Sequence, residues 1–179
     1  MKKLLLMSGS IACAKTSGLI SAWVKAGDQV QVVVTPSVKQ FIGYATLEGL
    51  SGRAVMDNVY VSGAMMDHIN ISRWADAVIL CPATANVMNK IVAGIADEVV
   101  STVWMAAYGQ NKPMVVVPAM NTKMWDYPAT QSSVKTLKKW GVNIIKPKNG
   151  ILACGEEGAG RLPEVDELLT DIEALLCKS

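Results

Sequence analysis

The sequence predicts an α/β fold: a parallel sheet with helices on both faces, in a single domain. Three observations carry this. The apolar runs are short and apolar throughout, which marks strands buried on both faces rather than one. Each run is followed by a segment with helical spacing, so strand and helix alternate. The chain has 179 residues, a length that suits one full core. At 51% hydrophobic and 18% charged it is apolar enough for a buried sheet plus some surface covered in an oligomer.

The elements follow in order. Residues 2–9, KKLLLMSG, read as a buried strand. The helix after it places Leu19, Ile20, Trp23 and Val24 on one face and ends at Gly27. Residues 28–37 hold a second strand, stopped at Pro36. Short helices are expected near 38–43 and 45–52, then a loop to residue 65. Residues 77–81 form a third strand, and 85–97 a helix with Met88, Ile91, Val92 and Ile95 in register. VVSTVWMAA, 99–107, reads as a further buried helix, and KPMVVVPAM, 112–120, as a fourth strand. Asp126 and Pro128 open a helix that closes on lysines and Gly141. A fifth strand lies in 142–147. The last helix turns Val165, Leu168, Leu169, Ile172, Leu175 and Leu176 inward.

Composition excludes several classes. A net charge of +2 is too small for nucleic acid. No uncharged apolar run reaches about 18 residues, so no membrane span is expected. The opening MKKLLLMSGSIACA imitates a secretory leader, but it runs straight into a strand-turn-helix pattern and is read as structure. The four cysteines lack metal-ligand spacing, and there is one histidine, so no metal site is expected. The thiols read as reduced, in a cytoplasmic protein. Cys13, Cys81 and Cys177 are expected as small buried hydrophobes.

In parallel sheets, ligands bind beyond the carboxyl ends of the strands. Those ends read Ser8-Gly9-Ser10, Thr35-Pro36-Ser37, Pro82-Ala83-Thr84-Ala85-Asn86 and Pro118-Ala119-Met120-Asn121. Taken singly, each is an ordinary turn. Together they suit a flat, polar-edged ligand whose phosphate is held by hydroxyls and helix N-terminal amides. The first turn has one glycine where a dinucleotide fingerprint needs three, and no fitting acidic residue ends the second strand. There is no P-loop. A mononucleotide, FMN above all, fits the short turn. The residues expected to hold it are Gly9, Ser10, Ile11, Thr35, Ser37, Thr84, Ala85, Asn86 and Ala119, with Ser101 added from the buried helix.

Residues 149–164, NGILACGEEGAGRLPE, surround Cys154 with four glycines. They are expected to form a mobile loop, too flexible for a helix or a strand core. That sets Cys154 apart from the other three thiols.

Four stretches together resemble the cysteine-decarboxylating flavoproteins: SGSIACAK (8–15), HINISRWADAVILCPATAN (68–86), PAMNTKMW (118–125) and ACGEEGAGR (153–161). The similarity covers nearly the whole chain, in order. It implies a Rossmann-like, flavodoxin-like fold, FMN as cofactor, and a homo-oligomer, a trimer or a dodecamer of trimers, with sites at subunit interfaces. The likeness is greatest to the branch that converts 4'-phosphopantothenoylcysteine to 4'-phosphopantetheine in coenzyme A synthesis. Many bacterial members are fused to a synthetase, so a separate phosphopantothenoylcysteine synthetase is the partner expected here. One departure is Ala14 before Lys15, where the family usually has an aromatic residue.

The implied chemistry begins with a problem. A cysteine carboxylate leaves only if the carbanion behind it has an electron sink. Oxidising the thiol to a thioaldehyde supplies one, and a flavin can perform that oxidation. Loss of CO2 leaves an enethiol, which must regain a hydride and a proton. A lone histidine is more often structural or merely exposed, but the resemblance aligns His68 with the family's catalytic histidine, and an imidazole suits proton transfer in oxidation or decarboxylation. Asn121 by itself is a cap or turn residue; the resemblance makes it the binder of the substrate carboxylate. It also makes 148–163 a clamp that folds over substrate, with Cys154 giving the proton that completes reduction. Met120, Met124, Ala153 and Arg161 are the expected substrate contacts, and Trp125 is expected to pack. Lys15, Lys90, Lys123 and Arg161 all remain open as partners of the substrate phosphate, and Arg161 and Glu164 as anchors of the loop. Three other readings share parts of this pattern: a peptidyl-cysteine decarboxylase of ribosomal peptide maturation, a flavin prenyltransferase, and a non-catalytic flavin-binding regulatory subunit. The clamp cysteine speaks against the first two, and the lack of a long acidic tail against the third.

Overall fold

Five of the apolar runs become one parallel sheet in the computed structural model, which describes residues 1–60, 62–63 and 65–177. The strands are β1 (Lys2–Met7), β2 (Gln29–Val34), β3 (Ala77–Ala83), β4 (Met114–Pro118) and β5 (Asn143–Ile144), in the spatial order β2-β1-β3-β4-β5. Every neighbouring pair is parallel. The chain steps from β1 to β2 on one side and to β3 on the other, so the order reverses between β1 and β3. That switch point opens a crevice at the carboxyl ends of the strands.

The full burial of the strands follows from what covers them. Alternate residues of β1 face opposite ways. Leu5 and Met7 join the core formed with α1 (Cys13–Lys25), α2 (Tyr44–Ser51) and α8 (Val165–Leu176). Leu4 and Leu6 join the core formed with α4 (Ala85–Ala93), α5 (Val99–Ala107) and α7 (Pro128–Lys139). Ile71 and Trp74 of α3 (Asp67–Trp74) pack on that second core, and α6 (Thr122–Trp125) is one turn after β4. Each face of the sheet therefore has its own core, as runs without alternation require. Lys3 is the exception within β1. Its side chain is 1% exposed, pairs with Asp28 at 2.7 Å and with Glu173, and lies 4.8 Å from the centroid of the Trp23 ring. It ties the strand to α1 and α8.

Several expectations need correction. Val24 and Ile95 are exposed, not inward. Val24 lies off the stripe set by Leu19, Ile20 and Trp23, and Ile95 falls beyond α4, which ends where Gly94 takes φ +74°. The helix expected near 38–43 is instead a 3₁₀ turn, Pro36–Gln40. Cys177 is exposed rather than buried, because it caps the end of α8 past the last core contact.

The glycine-rich segment is not an irregular loop. It forms an antiparallel hairpin, β6 (Lys148–Ile151) and β7 (Glu157–Arg161). Gly158 and Gly160 are there for close approach. A Cβ on Gly160 (φ +141°) would lie 2.0 Å from the Met120 carbonyl oxygen, and one on Gly158 would lie 2.4 Å from Thr122 Oγ1. Side chains there would push the hairpin off the end of β4. Instead the Met120 amide donates to the Gly160 carbonyl at 3.0 Å.

Candidate active site

The four strand ends predicted from sequence do converge. Ser8 Oγ donates to the Pro82 carbonyl at 2.8 Å and accepts from the Thr84 amide at 2.9 Å, locking the end of β1 to that of β3. The Gly9 amide donates to Thr35 Oγ1 at 3.3 Å, and Thr35 and Ser37 share a hydroxyl contact of 2.9 Å. A Cβ on Gly9 would sit 2.4 Å from Ser37 Oγ, so only glycine lets the first and second turns meet. The Ala119 amide donates to the Ala83 carbonyl at 3.0 Å, which joins β4 to β3. Thr84 caps α4 by accepting from Val87.

A cleft of about 430 Å³ opens between these ends and the hairpin. Ser10, Ile11 and Lys15 form one wall, Ala119, Met120 and Asn121 the floor, and Ala153, Cys154 and Arg161 the opposite wall. Ala12, Ile151, Leu152, Gly160 and Leu162 complete the lining. A larger cleft of about 760 Å³, between Arg53, Asp57, Asp67 and Trp74, contains none of the residues singled out from sequence.

At the centre, Asn121 is the N-cap of α6. Its Oδ1 accepts from the Lys123 amide at 2.8 Å, which fixes the orientation of the side-chain amide. Nδ2 then points at the hairpin, donating to Cys154 Sγ at 3.3 Å and to Glu156 Oε2 at 2.9 Å. Cys154 Sγ in turn donates to Glu156 Oε2 at 3.8 Å. Lys123 Nζ lies 3.6 Å from the other carboxylate oxygen. The Asn121 hydrogen bond and the Lys123 charge hold the Glu156 carboxyl below the usual carboxylate range. Glu156 was not among the candidates from sequence. It is exposed and off any periodic pattern, and only its place two residues after Cys154 could have flagged it.

At the cleft edge, Glu164 Oε1 accepts from Lys15 Nζ at 2.7 Å and from Arg161 Nη2. The Lys15 hydrogen bond in particular keeps the Glu164 carboxyl low. Of the cations left open earlier, Lys15 and Arg161 line the cleft and Lys123 does not. Lys90 pairs with Asp97 at 2.7 Å on another part of the surface.

Gly9, Thr35, Ser37, Thr84, Ala85 and Asn86 are at the strand ends but outside the cleft lining, and Ser101, Met124, Trp125 and His68 also lie outside it. Ser101 is buried in α5, its hydroxyl donating to the Glu98 carbonyl. Met124 is 48% exposed and outside the lining, so it is not a pocket wall in this chain. Trp125 packs on the core as expected. His68 lies on α3, and the described residues lining the cleft do not include it. Its Nδ1 is buried without a hydrogen-bond partner among the described residues.

The strand ends fit a flavin mononucleotide. Thr35 and Ser37 bring hydroxyls to one place, and the four turns contain no acidic residue to repel a phosphate. Gly9, with no Cβ to meet Ser37, lets the first and second turns close into one polar edge. Ile11, 65% exposed, offers apolar surface beside that polar edge.

Comparison with known proteins agrees with this geometry. The family model described as Flavoprotein matches residues 1–177. The chain is 40% identical over 177 residues to a probable phosphopantothenoylcysteine decarboxylase of Streptococcus mutans, covering 98% of each. It is 38% identical to the coenzyme A biosynthesis bifunctional protein CoaBC of Bacillus subtilis over 93% of its own length but 41% of that protein, so it spans well under half of such bifunctional relatives. A solved PPC decarboxylase with a cysteine-to-serine substitution, in complex with pantothenoylaminoethenethiol, aligns at a TM-score of 0.84 and 30% identity, covering 99% of this chain and 98% of that one. The FMN-dependent cysteine decarboxylase SpaF aligns at 0.81 and 28% identity, covering 99% and 96%.

Proposed function

The chain belongs to the Flavoprotein family, and from that premise we propose that it is an FMN-dependent carboxy-lyase converting 4'-phosphopantothenoylcysteine to 4'-phosphopantetheine in coenzyme A synthesis. The observation that carries this is the 3.3 Å contact between the Asn121 amide and Cys154 Sγ inside the cleft. It sets a carboxylate-binding donor beside a thiol, which is the pair that decarboxylation followed by protonation needs.

FMN held at the strand ends would supply a two-electron acceptor and donor for the sulfur-bearing carbon of the substrate. The protein's own groups do the rest. Asn121 holds the carboxylate by a neutral donor, which orients it without neutralising the charge that must leave. His68 is the proton carrier of the first half, oxidation and decarboxylation. Cys154 gives its proton to the carbon that CO2 left and recovers one from solvent. Lys15 and Arg161 receive the substrate phosphate. Ile151, Leu152 and Leu162 exclude water when the clamp, residues 148–163, is down.

This reading includes a homotrimer, or a dodecamer built of trimers, in which a second copy brings His68 to the cleft. That His68 is outside the described lining and that its buried Nδ1 has no partner among the described residues support that. Exposed Phe41, Met65 and Met66 supply apolar surface for the contact. The setting is the cytoplasm, with a separate synthetase supplying the substrate.

The test is to incubate the yellow protein with phosphopantothenoylcysteine and follow CO2 release and product mass. Saturated 4'-phosphopantetheine is expected. Absence of CO2 would overturn the reading. Cys154→Ser should stall at a species two hydrogens lighter. The wild type stopping at that species would instead favour a peptidyl-cysteine decarboxylase.

A further inference from the structure

Asn121 has two amide protons, and in this structure both are engaged by the hairpin tip. One meets Cys154 Sγ at 3.3 Å and the other the Glu156 carboxylate at 2.9 Å. The opposite end of the side chain is committed to the Lys123 amide at 2.8 Å, so the group cannot flip to offer new donors. A ligand carboxylate seeking Asn121 therefore meets a carboxylate already there. We propose that Glu156 is a positioning residue that occupies the carboxylate seat whenever the ligand does not. It yields the seat to the substrate, and retakes it once CO2 has left, drawing Cys154 down for the protonation step. This rests on the proposed role of Asn121.

The exchange is chemically even. A carboxylate leaves a neutral donor and a carboxylate replaces it, with Lys123 beside both. Glu156 is exposed, so neither direction buries a charge. Once CO2 departs, the Asn121 amide loses its partner. Glu156 is the acceptor within reach, tethered two residues from Cys154 by a turn in which the Leu152 amide donates to the Glu156 carbonyl at 2.8 Å. Its return brings the thiol to the carbon that needs a proton. That proton moves from Sγ to carbon, leaving a thiolate that solvent reprotonates, and no other co-reactant is needed beyond the flavin of the proposed reaction.

The test uses the flavin-loaded enzyme with Glu156→Ala and Glu156→Gln. Without the internal competitor, KM for the substrate should fall about threefold. Without the return contact, the fraction of turnovers released as the species two hydrogens lighter should rise about tenfold over wild type while CO2 release persists. Glu156→Gln, which keeps an acceptor oxygen, should lie between. A readout independent of turnover is hydrogen exchange of residues 148–161 in ligand-free protein, expected to quicken about threefold in Glu156→Ala. If wild type turns over and the alanine variant matches it in KM, in product partition and in exchange, the proposal is wrong. If wild type releases no CO2, the proposed function fails first, and the exchange measurement alone then decides whether Glu156 holds the tip.

Discussion

Gly160→Ala gives the sharpest test of how the hairpin is held. A Cβ there would stand 2.0 Å from the Met120 carbonyl oxygen, against 3.4 Å for ordinary contact, so one backbone must retreat by about 1.4 Å. Both atoms belong to main chain, so no side chain can swing aside. The retreat breaks the Met120-to-Gly160 hydrogen bond of 3.0 Å, worth about 1 kcal/mol. Holding alanine at φ +141° adds about 1–3 kcal/mol of backbone strain. Together these disfavour the docked hairpin by about 3 kcal/mol, a shift of roughly 150-fold in its docking equilibrium. The main sheet shares none of this cost, because the hairpin is a separate two-stranded unit. Steady-state turnover should lose about 100-fold in kcat/KM, while circular dichroism and flavin retention stay those of wild type. Gly155→Ala is the control. Gly155 also has a positive φ, +82°, but nothing lies within 4 Å of its added Cβ. It should cost about 1–2 kcal/mol of local strain. Equal losses in the two variants, or kcat/KM within threefold of wild type for Gly160→Ala, would refute the close-approach argument.

Three further outcomes follow from burial and charge. Lys3→Ala empties the site of a side chain only 1% exposed and leaves Asp28 with the terminal amino group and Glu173 with the Trp23 ring N–H as remaining partners, and should cost about 3 kcal/mol, read as a fall of roughly 10 °C in thermal midpoint. Burial pushes the Asp28 carboxyl up, but Lys3 and the terminal amino group outweigh it and hold the value below the usual range. That contribution is complete above the unfolded value of about 4 and is lost as pH falls through the folded one, so the urea midpoint should drop below about pH 4, and less steeply in Lys3→Met. Iodoacetamide at pH 8 should alkylate Cys154 and Cys177, which are exposed, and spare Cys13 and Cys81, whose thiols burial raises, that of Cys81 to about 12. Mass mapping that finds Cys81 labelled as fast as Cys154 would contradict the core placement.

The sheet was legible in the sequence because burial on both faces leaves a local mark. Leu4 to Met7 and Val32 to Val34 need apolar side chains whichever way they point. The turns Ser8 to Ser10 and Thr35 to Ser37 were legible for a related reason, since their residue types report the conformation and donors a strand end requires. The hairpin was misread because its glycines answer to Met120 and Thr122, residues about 40 positions away, and local flexibility is the wrong inference when space is the cause. Helix α3 went unassigned because DHINISRW shows only a thin apolar stripe, Ile71 and Trp74. Glu156 left no trace beyond its place two residues after Cys154, since an exposed carboxylate in a polar turn looks the same with or without Asn121 beside it.

The two halves of the site are built to different tolerances. The strand ends are cross-tied by Ser8, Thr84 and Ala119 to main-chain partners, so displacing any one strains a buried sheet. Such a frame can hold a cofactor to sub-ångström precision, which hydride transfer demands. The hairpin is attached by the Gly160–Met120 bond and by polar contacts of Asn121 with Glu156 and of Glu164 with Lys15 and Arg161. Exposed contacts of that kind contribute little individually, and each can be exchanged for a ligand's own charged group. Under the proposed function, a clamp tied down by buried apolar surface would resist opening in every cycle, whereas one tied by carboxylates at the seats of a doubly anionic substrate opens when the substrate supplies the replacements. The weakness of these contacts is therefore what lets binding energy become motion, and strengthening them with buried apolar side chains should slow turnover even as it stabilises the fold.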